Sequence, residues 1–174
     1  MSDAREPAAA RPAVRTTDAL LDDWERAWCG RDAAAFAPLC DPAIQYEDPF
    51  TRDPLIGVDE LATHAERLWQ GFPDVRVERA GERLAAAGAG FVAAPVKVTG
   101  THRGMLDGLP ATRRFVVVHG VVWCELRGGR LLRVRAFFDR YEAAVQLGVL
   151  PRSGTLGEKA LLALRGFGVR ARRV

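Results

Sequence analysis

The sequence is poor in the residues from which several common active sites are built. Its only serines, Ser2 and Ser153, lie near the two ends of the chain and in no nucleophile-elbow pattern, so a serine hydrolase is not expected. The cysteines Cys29, Cys40 and Cys124 are odd in number and widely spaced. That spacing argues against a disulfide framework and a zinc site, and it fits a reducing compartment.

Long apolar runs and clustered histidines are also missing. No stretch approaches the roughly 20 apolar residues of a membrane helix, and residues 1–15 lack the apolar core of a secretory signal. We therefore expect residues 1–15 to be a disordered lead-in, the protein to be cytoplasmic, and no membrane to be a partner. His64, His102 and His119 lie far apart without ligand spacing, which predicts no metal site.

The body of the chain carries no excess of positive charge. From Arg152 onward, six basic residues face one acid, Glu158, so residues 152–174 have a net charge of +5 and the rest has −2 of the total +3. A nucleic-acid-binding domain more often has a basic face interleaved with aromatic side chains. We therefore expect no nucleic-acid partner and interpret residues 152–174 as a basic, solvated tail that includes a short helix.

Hydrophobic periodicity predicts one domain, over residues 16–151, of the α+β class. Of the 174 residues 48% are hydrophobic, which is enough for a real core. Apolar residues at helical spacing predict an N-terminal helix, a shorter second helix and a third helix, over 17–30, 31–40 and 57–72. After a short strand at 43–49, alternating patterns predict four long strands, over 75–84, 90–102, 113–126 and 130–139. Helices followed by a meander predict a curved mixed or antiparallel sheet packed around N-terminal helices.

The penultimate long strand has two different faces, because strand side chains alternate. One set is entirely apolar or small: Val116, Val118, Gly120, Val122, Cys124 and Leu126. The other mixes apolar and titratable groups: Phe115, Val117, His119, Val121, Trp123 and Glu125. Aromatic walls with a few polar groups are typical of ligand pockets. We therefore expect the mixed face to line a pocket and the apolar face to pack on helices or a partner.

Asp139 is the most informative residue of the last strand. It shares the parity of Phe137, Arg133 and Arg135, and it directly precedes the predicted helix over 140–148. From spacing alone, two interpretations remain open: Asp139 caps that helix, or it is the one acid of an apolar pocket. Structural alternatives also remain open for three other site candidates. His119 can be a core histidine, Trp123 can be core, and Glu125 can pair with an arginine.

The order of these segments resembles the SnoaL-like polyketide cyclases of the nuclear transport factor 2-like superfamily, to which ketosteroid isomerases also belong. The resemblance covers residues 16–151 and is carried by "YEDP" at 46–49, "GTHRG" at 100–104, "GLPAT" at 108–112 and "FFDRYEAAVQLGVLP" at 137–151. It implies a cone-shaped fold, a homodimer formed through the outer face of the sheet, and an aldol cyclisation without a cofactor. The apolar face of the penultimate strand is the one we expect at the dimer interface. The family often has glycine where this chain has Arg113.

The resemblance places Asp139 at the position of the cyclases' general acid/base. An aspartate base near neutral pH needs an apolar surrounding, and the enolate needs hydrogen-bond donors. We expect His119 as a second catalytic group and a small hydrophobic carbonyl compound as the ligand. The other expected substrate-binding residues share an aromatic or titratable side chain: Tyr46, Asp48, His64, His102, Trp123, Glu125 and Phe137.

Two other functions remain open at the level of sequence. The same cone can serve a non-catalytic module that binds a hydrophobic ligand, since fold does not fix function. It can also serve a hydrolase of the epoxide-hydrolase type. That chemistry needs an Asp–Arg–Asp arrangement, for which Asp139, Arg133 or Arg135, and Asp48 are the candidates.

Overall fold

The computed structural model describes residues 16–85 and 90–165. The predicted lead-in, residues 1–15, and the end of the tail, residues 166–174, lie outside the described residues. Within them the chain forms four α-helices, a short 3-10 helix and a seven-stranded mixed sheet. The predicted α+β class, with a sheet packed around N-terminal helices, is confirmed.

The helices follow the apolar stripes of the sequence. They are α1 (Thr17–Gly30), α2 (Val58–Gly71), α3 (Arg140–Leu147) and α4 (Leu156–Leu164), and the 3-10 helix spans Ala33–Phe36. Helix α1 buries its predicted stripe, which includes Trp24 and Trp28. Its cap is Thr16, whose Oγ1 accepts a hydrogen bond from the N–H of Ala19 at 3.2 Å. No helix of the described residues is long and apolar enough to cross a bilayer.

The sheet is mixed because its first long strand returns beside its last. The strands are β1 (Cys40–Glu47), β2 (Leu55–Ile56), β3 (Arg76–Arg79), β4 (Leu84–Ala85), β5 (Phe91–Thr101), β6 (Phe115–Arg127) and β7 (Arg130–Phe138). Their order is β2-β1-β7-β6-β5-β3, with β4 also on β5, and only the β1–β7 pair is parallel. The β6–β7 turn uses Gly128 and Gly129 at φ of 58° and 76°, which glycine adopts without strain.

The single strand predicted over 75–84 is two short strands, β3 and β4. The N–H of Ala80 donates to the carbonyl of Pro95 on β5 at 2.9 Å. Proline has no N–H and so cannot donate a hydrogen bond back to Ala80. The pairing of β3 with β5 therefore stops there. Gly81 follows directly, and pairing with β5 resumes at Leu84.

The structure reverses the predicted faces of β6. Val116, Val122 and Cys124 are 6%, 5% and 0% exposed, and they face the core. Their cross-strand partners confirm this side, since Ala136 lies opposite Val122 and Val134 opposite Cys124, and both are buried. The all-apolar set is therefore the inner face of the sheet and does not form an outer dimer surface.

Candidate active site

The inner face of the sheet, together with α1, α2 and α3, encloses a cavity of about 330 Å³. Its wall is mainly apolar and aromatic. One end is formed by side chains that are almost completely buried, among them Trp24, Trp28 and Trp69 at 3%, 7% and 7% exposure. The exposed polar residues of the lining, Asp107, Asp139 and Arg140, belong to α3, its cap and the loop over residues 102–114. The cavity is thus mainly apolar, with a polar, exposed end that we call the mouth.

The loop over residues 102–114 supplies one side of the mouth. Leu106 and Leu109 bridge each other across a tight turn and line the cavity. The "GTHRG" segment fixes this loop to α2, since the N–H groups of Arg103 and Gly104 donate to the carbonyl of Gly71 at 2.8 and 3.2 Å. Arg113, where the family often has glycine, has φ of 58°, a left-handed conformation that glycine adopts more easily.

Asp139 stands at the other side of the mouth, where it both caps α3 and lines the cavity, although it is not the one acid there, since Asp48 and Asp107 also line it. Its Oδ1 accepts a hydrogen bond from the N–H of Glu142 at 2.9 Å, which caps α3. The residue also lines the cavity, beside Phe138 and Arg140, and it is exposed. Within the described residues, no hydrogen bond reaches its Oδ2. One carboxylate oxygen therefore holds the helix while the other is available at the mouth.

A second polar group of the cavity wall is a hydrogen-bonded cluster around Asp48. The hydroxyl of Tyr46 donates to Asp48 Oδ2 at 3.0 Å, and His64 Nε2 lies 2.7 Å from the same oxygen. The N–H groups of Phe50 and Thr51 donate to Oδ1 at 2.7 and 3.0 Å. The side chains of His64 and Asp48 are 5% and 3% exposed. Asp48 is therefore a buried carboxylate with all of its accepting sites engaged.

Arg67 determines the tautomer of His64 in this cluster. Its Nη2 lies 3.0 Å from His64 Nδ1, and a guanidinium can only donate. Nδ1 therefore accepts, and the proton lies on Nε2, which donates to Asp48. Arg67 also pairs with Asp107 of the mouth loop, so the cluster runs from the surface to the cavity wall.

The electrostatics of Tyr46 and Asp48 follow from this geometry. Burial, reinforced by the neighbouring Asp48, raises the pKa of Tyr46 well above its ordinary value. Burial alone would raise the pKa of Asp48, but the hydrogen bond from His64, with those from the N–H of Phe50 and the Tyr46 hydroxyl, holds it below the ordinary value. Tyr46 is thus a neutral phenol and Asp48 an ion, which suits Asp48 to organising the wall rather than to removing protons.

His102 is completely buried beside the cavity but does not line it. Its Nδ1 accepts from the N–H of Thr112 at 3.2 Å, and its ring packs on Phe72 with the centroids 5.2 Å apart. Burial lowers the pKa of His102. Among the described residues its Nε2 has no partner. The histidine of "GTHRG" therefore holds Thr112 of "GLPAT", and Phe72 separates its ring from the cavity.

The remaining predicted site residues lie on the outer face of the sheet, away from the cavity. His119 is exposed, and Trp123 stacks on Phe91 with the ring centroids 5.3 Å apart. Glu125 pairs with Arg133 at 3.2 Å, and Phe137 is 53% exposed. The structure thus brings Tyr46, Asp48 and Asp139 to the wall of one cavity, with His64 bonded to Asp48 behind that wall, and separates His119, Trp123, Glu125 and Phe137 from it.

The arginines considered for an epoxide-hydrolase arrangement share that outer face. Arg133 pairs with Glu125 and Arg135 with Glu47, and both arginines are exposed. Neither can join Asp139 and Asp48 across the cavity. Among the described residues, no group of three or more histidine, cysteine, aspartate or glutamate residues has the arrangement of a metal site.

Several residues of the cavity wall and of the Asp48 cluster were not predicted as site residues. Trp24 and Trp28 were predicted only as members of an apolar helical stripe, although tryptophan on such a stripe also brings an N–H donor inward. Arg67 and Asp107 were not predicted at all. Their pairing joins residues 40 positions apart, and neither belongs to a motif that signals it.

The fold and cavity define a class, the cone-shaped α+β domains of the ketosteroid isomerase-like type. The profile of SnoaL-like polyketide cyclases matches residues 18–147, and the chain belongs to that family. A comparison with curated proteins gives no match.

Solved structures agree in fold. The chain is similar to AclR, provisionally assigned as a hydroxylase, from Streptomyces galilaeus, with 23% identity, 86% of this chain and 91% of that chain covered, and a TM-score of 0.67. It is similar to a provisionally assigned SnoaL-like polyketide cyclase from Jannaschia sp. CCS1, with 17% identity, 82% and 99% covered, and a TM-score of 0.68. A protein of ketosteroid isomerase-like fold from Catenulispora acidiphila DSM 44928, in complex with trimethylamine, has 18% identity, 76% and 95% covered, and a TM-score of 0.64.

Proposed function

We propose that the protein is a cofactor-free enzyme of the cyclase or isomerase kind, acting on a small hydrophobic carbonyl compound in its apolar cavity. Family membership supports the reaction class, and the cavity wall supports the ligand class. The observation that carries the proposal is Asp139: a carboxylate at the mouth of an apolar cavity, with one oxygen fixed on the Glu142 N–H and the other without a partner among the described residues.

In the proposed mechanism, Asp139 is the general acid/base. Its Oδ2 removes a proton from the carbon next to a ligand carbonyl, which leaves an enolate. In an aldol closure the enolate carbon then bonds to a second carbonyl carbon of the same molecule, and the resulting alkoxide takes the proton back. The hydrogen bond that Asp139 Oδ1 accepts from the Glu142 N–H fixes the orientation of the carboxylate without occupying Oδ2, so Asp139 can both cap the helix and act as the base.

The test separates catalysis from capping, because asparagine caps helices about as well as aspartate. In deuterated water, the wild-type protein is expected to accelerate exchange of the α-hydrogens of 2-acetylnaphthalene, an uncharged aromatic ketone. Asp139→Asn should lower that acceleration by about 100-fold or more, the usual contribution of a general base, with unchanged thermal stability. Asp32→Asn is the matched control, since Asp32 caps the 3-10 helix outside the cavity. Exchange by Asp139→Asn at the wild-type rate would contradict the assignment.

A non-catalytic ligand-binding module is the second candidate, and the Asp48 cluster favours it. A binding module needs polar groups that are fixed and satisfied, and Asp48 accepts four hydrogen bonds. This alternative predicts tight binding of 2-acetylnaphthalene with no acceleration of exchange in the wild-type protein. The same experiment therefore distinguishes the two functions.

We further propose that the protein is a cytoplasmic homodimer joined through the outer face of the sheet. Apolar side chains are exposed on that face, including Phe91, Phe115, Val121 and Phe137 at 38%, 59%, 38% and 53%. A cluster of this kind is typical of a protein interface. Sedimentation equilibrium should give a dimer for the wild-type protein and a monomer for Val121→Lys. A monomeric wild-type protein would contradict the dimer.

A further inference from the structure

We propose that the indole N–H groups of Trp24 and Trp28 donate the hydrogen bonds that hold the ligand's carbonyl oxygen at the buried end of the cavity. This inference rests on the proposed function, because it names the donors that stabilise the enolate while Asp139 moves the proton. It adds two residues of α1 to a site whose other polar groups include Tyr46 and Asp48 at the end of β1, Asp107 of the mouth loop, and Asp139 and Arg140 at the start of α3.

The other side-chain donors near the buried end of the cavity are already engaged. The Tyr46 hydroxyl donates to Asp48 at 3.0 Å, and the proton of His64 Nε2 is directed at the same carboxylate. His64 Nδ1 accepts from Arg67. The indole of Trp69 donates to the backbone carbonyl of Trp28 at 3.1 Å. None of these groups can turn to a ligand oxygen without breaking a bond that holds the fold together.

The indole nitrogens of Trp24 and Trp28 differ from that of Trp69. Within residues 16–85 and 90–165, neither makes a hydrogen bond, although the two side chains are only 3% and 7% exposed. The side-chain nitrogens and oxygens of this region that are both fully buried and unpartnered are Arg83 Nε and His102 Nε2. The two indole nitrogens therefore touch accessible space, and for these lining residues that space is the cavity.

The two indoles lie close enough to act on one ligand group. Their ring centroids are 5.9 Å apart in an edge-to-face arrangement, because the residues are one helical turn apart on α1. The ring of Tyr46 lies 6.1 and 6.0 Å from them. An indole N–H that faces the cavity has no acceptor in the described residues, so a carbonyl oxygen of the ligand can accept its hydrogen bond there.

The charges of the wall limit the acceptor to an uncharged one. Three acids line the cavity, Asp48, Asp107 and Asp139, against Arg140 at the mouth and Arg67, which pairs with Asp107 from outside the lining, so one negative charge is in excess. A carboxylate ligand would meet this excess of negative charge, whereas a ketone or ester oxygen would not. The indoles therefore select a neutral carbonyl compound.

The test compares two probes of nearly equal shape, 2-acetylnaphthalene and 2-ethylnaphthalene, of which only the first has a carbonyl. Trp24→Phe and Trp28→Phe keep an aromatic ring and remove the N–H. Each should weaken binding of the ketone by about 3- to 10-fold, the effect of one neutral hydrogen bond, and leave the hydrocarbon affinity nearly unchanged. Trp123→Phe is the matched control, because Trp123 lies on the outer face of the sheet.

Infrared spectroscopy of the bound ketone reports the hydrogen bond directly, and it does so already in the wild-type protein. In the wild-type protein the carbonyl stretch should lie below its frequency in hexane, and it should move toward that value in each variant. A stretch at the hexane value in the wild-type protein would overturn the proposal. So would a hydrocarbon that binds as tightly as the ketone, or a ketone that does not bind.

These outcomes are separable from the role of Asp139. Asp139→Asn should leave the carbonyl stretch and the ketone affinity in place while it abolishes α-hydrogen exchange. Failure of the indole proposal would appear as an unshifted stretch beside intact exchange. Failure of the proposed catalysis would appear as a shifted stretch without exchange.

Discussion

The side-chain amide of Gln146 pairs with the backbone of Val117 on β6, beyond the point where the neighbouring strand β7 ends. Its Oε1 accepts from the Val117 N–H at 2.7 Å, and its Nε2 donates to the Val117 carbonyl at 2.8 Å. Strand β7 ends opposite Gly120, so β6 would otherwise have unpaired backbone groups at this position. The amide thereby fixes α3, and with it Asp139, against the sheet.

Gln146→Leu should therefore lower the free energy of unfolding. Three hydrogen bonds are lost, two with Val117 and one with Glu142, and Val117 keeps an unpaired N–H and carbonyl, which corresponds to about 1–3 kcal/mol. Urea unfolding of the purified protein measures this. Gln70→Leu is the matched control, because Gln70 is exposed on α2 and its side chain makes no hydrogen bond within the described residues. Equal loss in both variants would show that the Val117 contact contributes nothing specific.

The sequence predicted most of this fold because helices and strands have different apolar periods. The stripe of α1, the long β5–β7 meander and the α3 segment were all located from spacing. Alternation also divided β6 into two sets correctly, but it could not say which set faces inward. Both sets contain enough apolar residues to pack against other parts of the protein. Which set faces the core depends on cross-strand partners such as Ala136 and Val134, which are distant in sequence.

The site was less predictable than the fold, for two physical reasons. By strand alternation Asp139 would face outward like Phe137, yet it lines the cavity. Strand β7 ends at Phe138, so the alternation of faces no longer applies to Asp139. The Asp48 cluster depends on the packing of α2 against β1, which brings His64 to a carboxylate 16 residues away. Tyr46 and Asp48, two positions apart at the end of one strand, were the part of this cluster that spacing could indicate.

Asp48 should contribute to the pH dependence of stability. Its folded-state pKa lies below the value of about 3.9 typical of an unfolded chain, so the folded protein binds fewer protons there. The stabilisation is complete above that value and is lost as the pH falls through the folded-state pKa. Asp48→Asn should therefore reduce the loss of unfolding free energy between about pH 5 and pH 3.

Urea unfolding at several pH values measures this change in slope. Asp41, Asp74 and Glu78 also have lowered pKa values and contribute slopes of the same sign, so part of the dependence will remain in the variant. Asp53→Asn serves as the control, since Asp53 is exposed and makes no hydrogen bond within the described residues. An identical slope in wild type and Asp48→Asn would refute the prediction.

Two of the three cysteines should be unreactive in the folded protein. Burial raises the pKa of Cys40 and of Cys124 to about 12, and the two side chains are 1% and 0% exposed. The thiolate, which is the reactive form, is therefore scarce and inaccessible. Mass spectrometry after iodoacetamide treatment at about pH 8.5 should show modification confined to Cys29. All three should react in concentrated urea, and rapid native labelling of Cys124 would contradict the buried position.

Gly104 of the "GTHRG" segment should tolerate no side chain. A Cβ atom there would lie 1.9 Å from the carbonyl oxygen and 2.8 Å from the carbonyl carbon of Gln70, and backbone atoms cannot rotate away. Gly104→Ala should therefore cost about 3 kcal/mol in unfolding free energy, as overpacking does. It should also weaken 2-acetylnaphthalene binding, because the displaced loop carries Leu106 and Leu109 out of the cavity wall.

Gly30→Ala provides the comparison for this variant. A Cβ atom at Gly30 would meet nothing within 4 Å, and the residue is helical, so alanine should be neutral or stabilise by about 0.5–1 kcal/mol. The contrast between the two glycines therefore tests the backbone contact itself and not the general effect of replacing glycine. If Gly104→Ala unfolded at the wild-type urea concentration and bound the ketone normally, the loop would not depend on its close approach to Gln70. The conformation of "GTHRG" would then need another cause, and the hydrogen bonds from Arg103 and Gly104 to Gly71 would be the next contacts to remove.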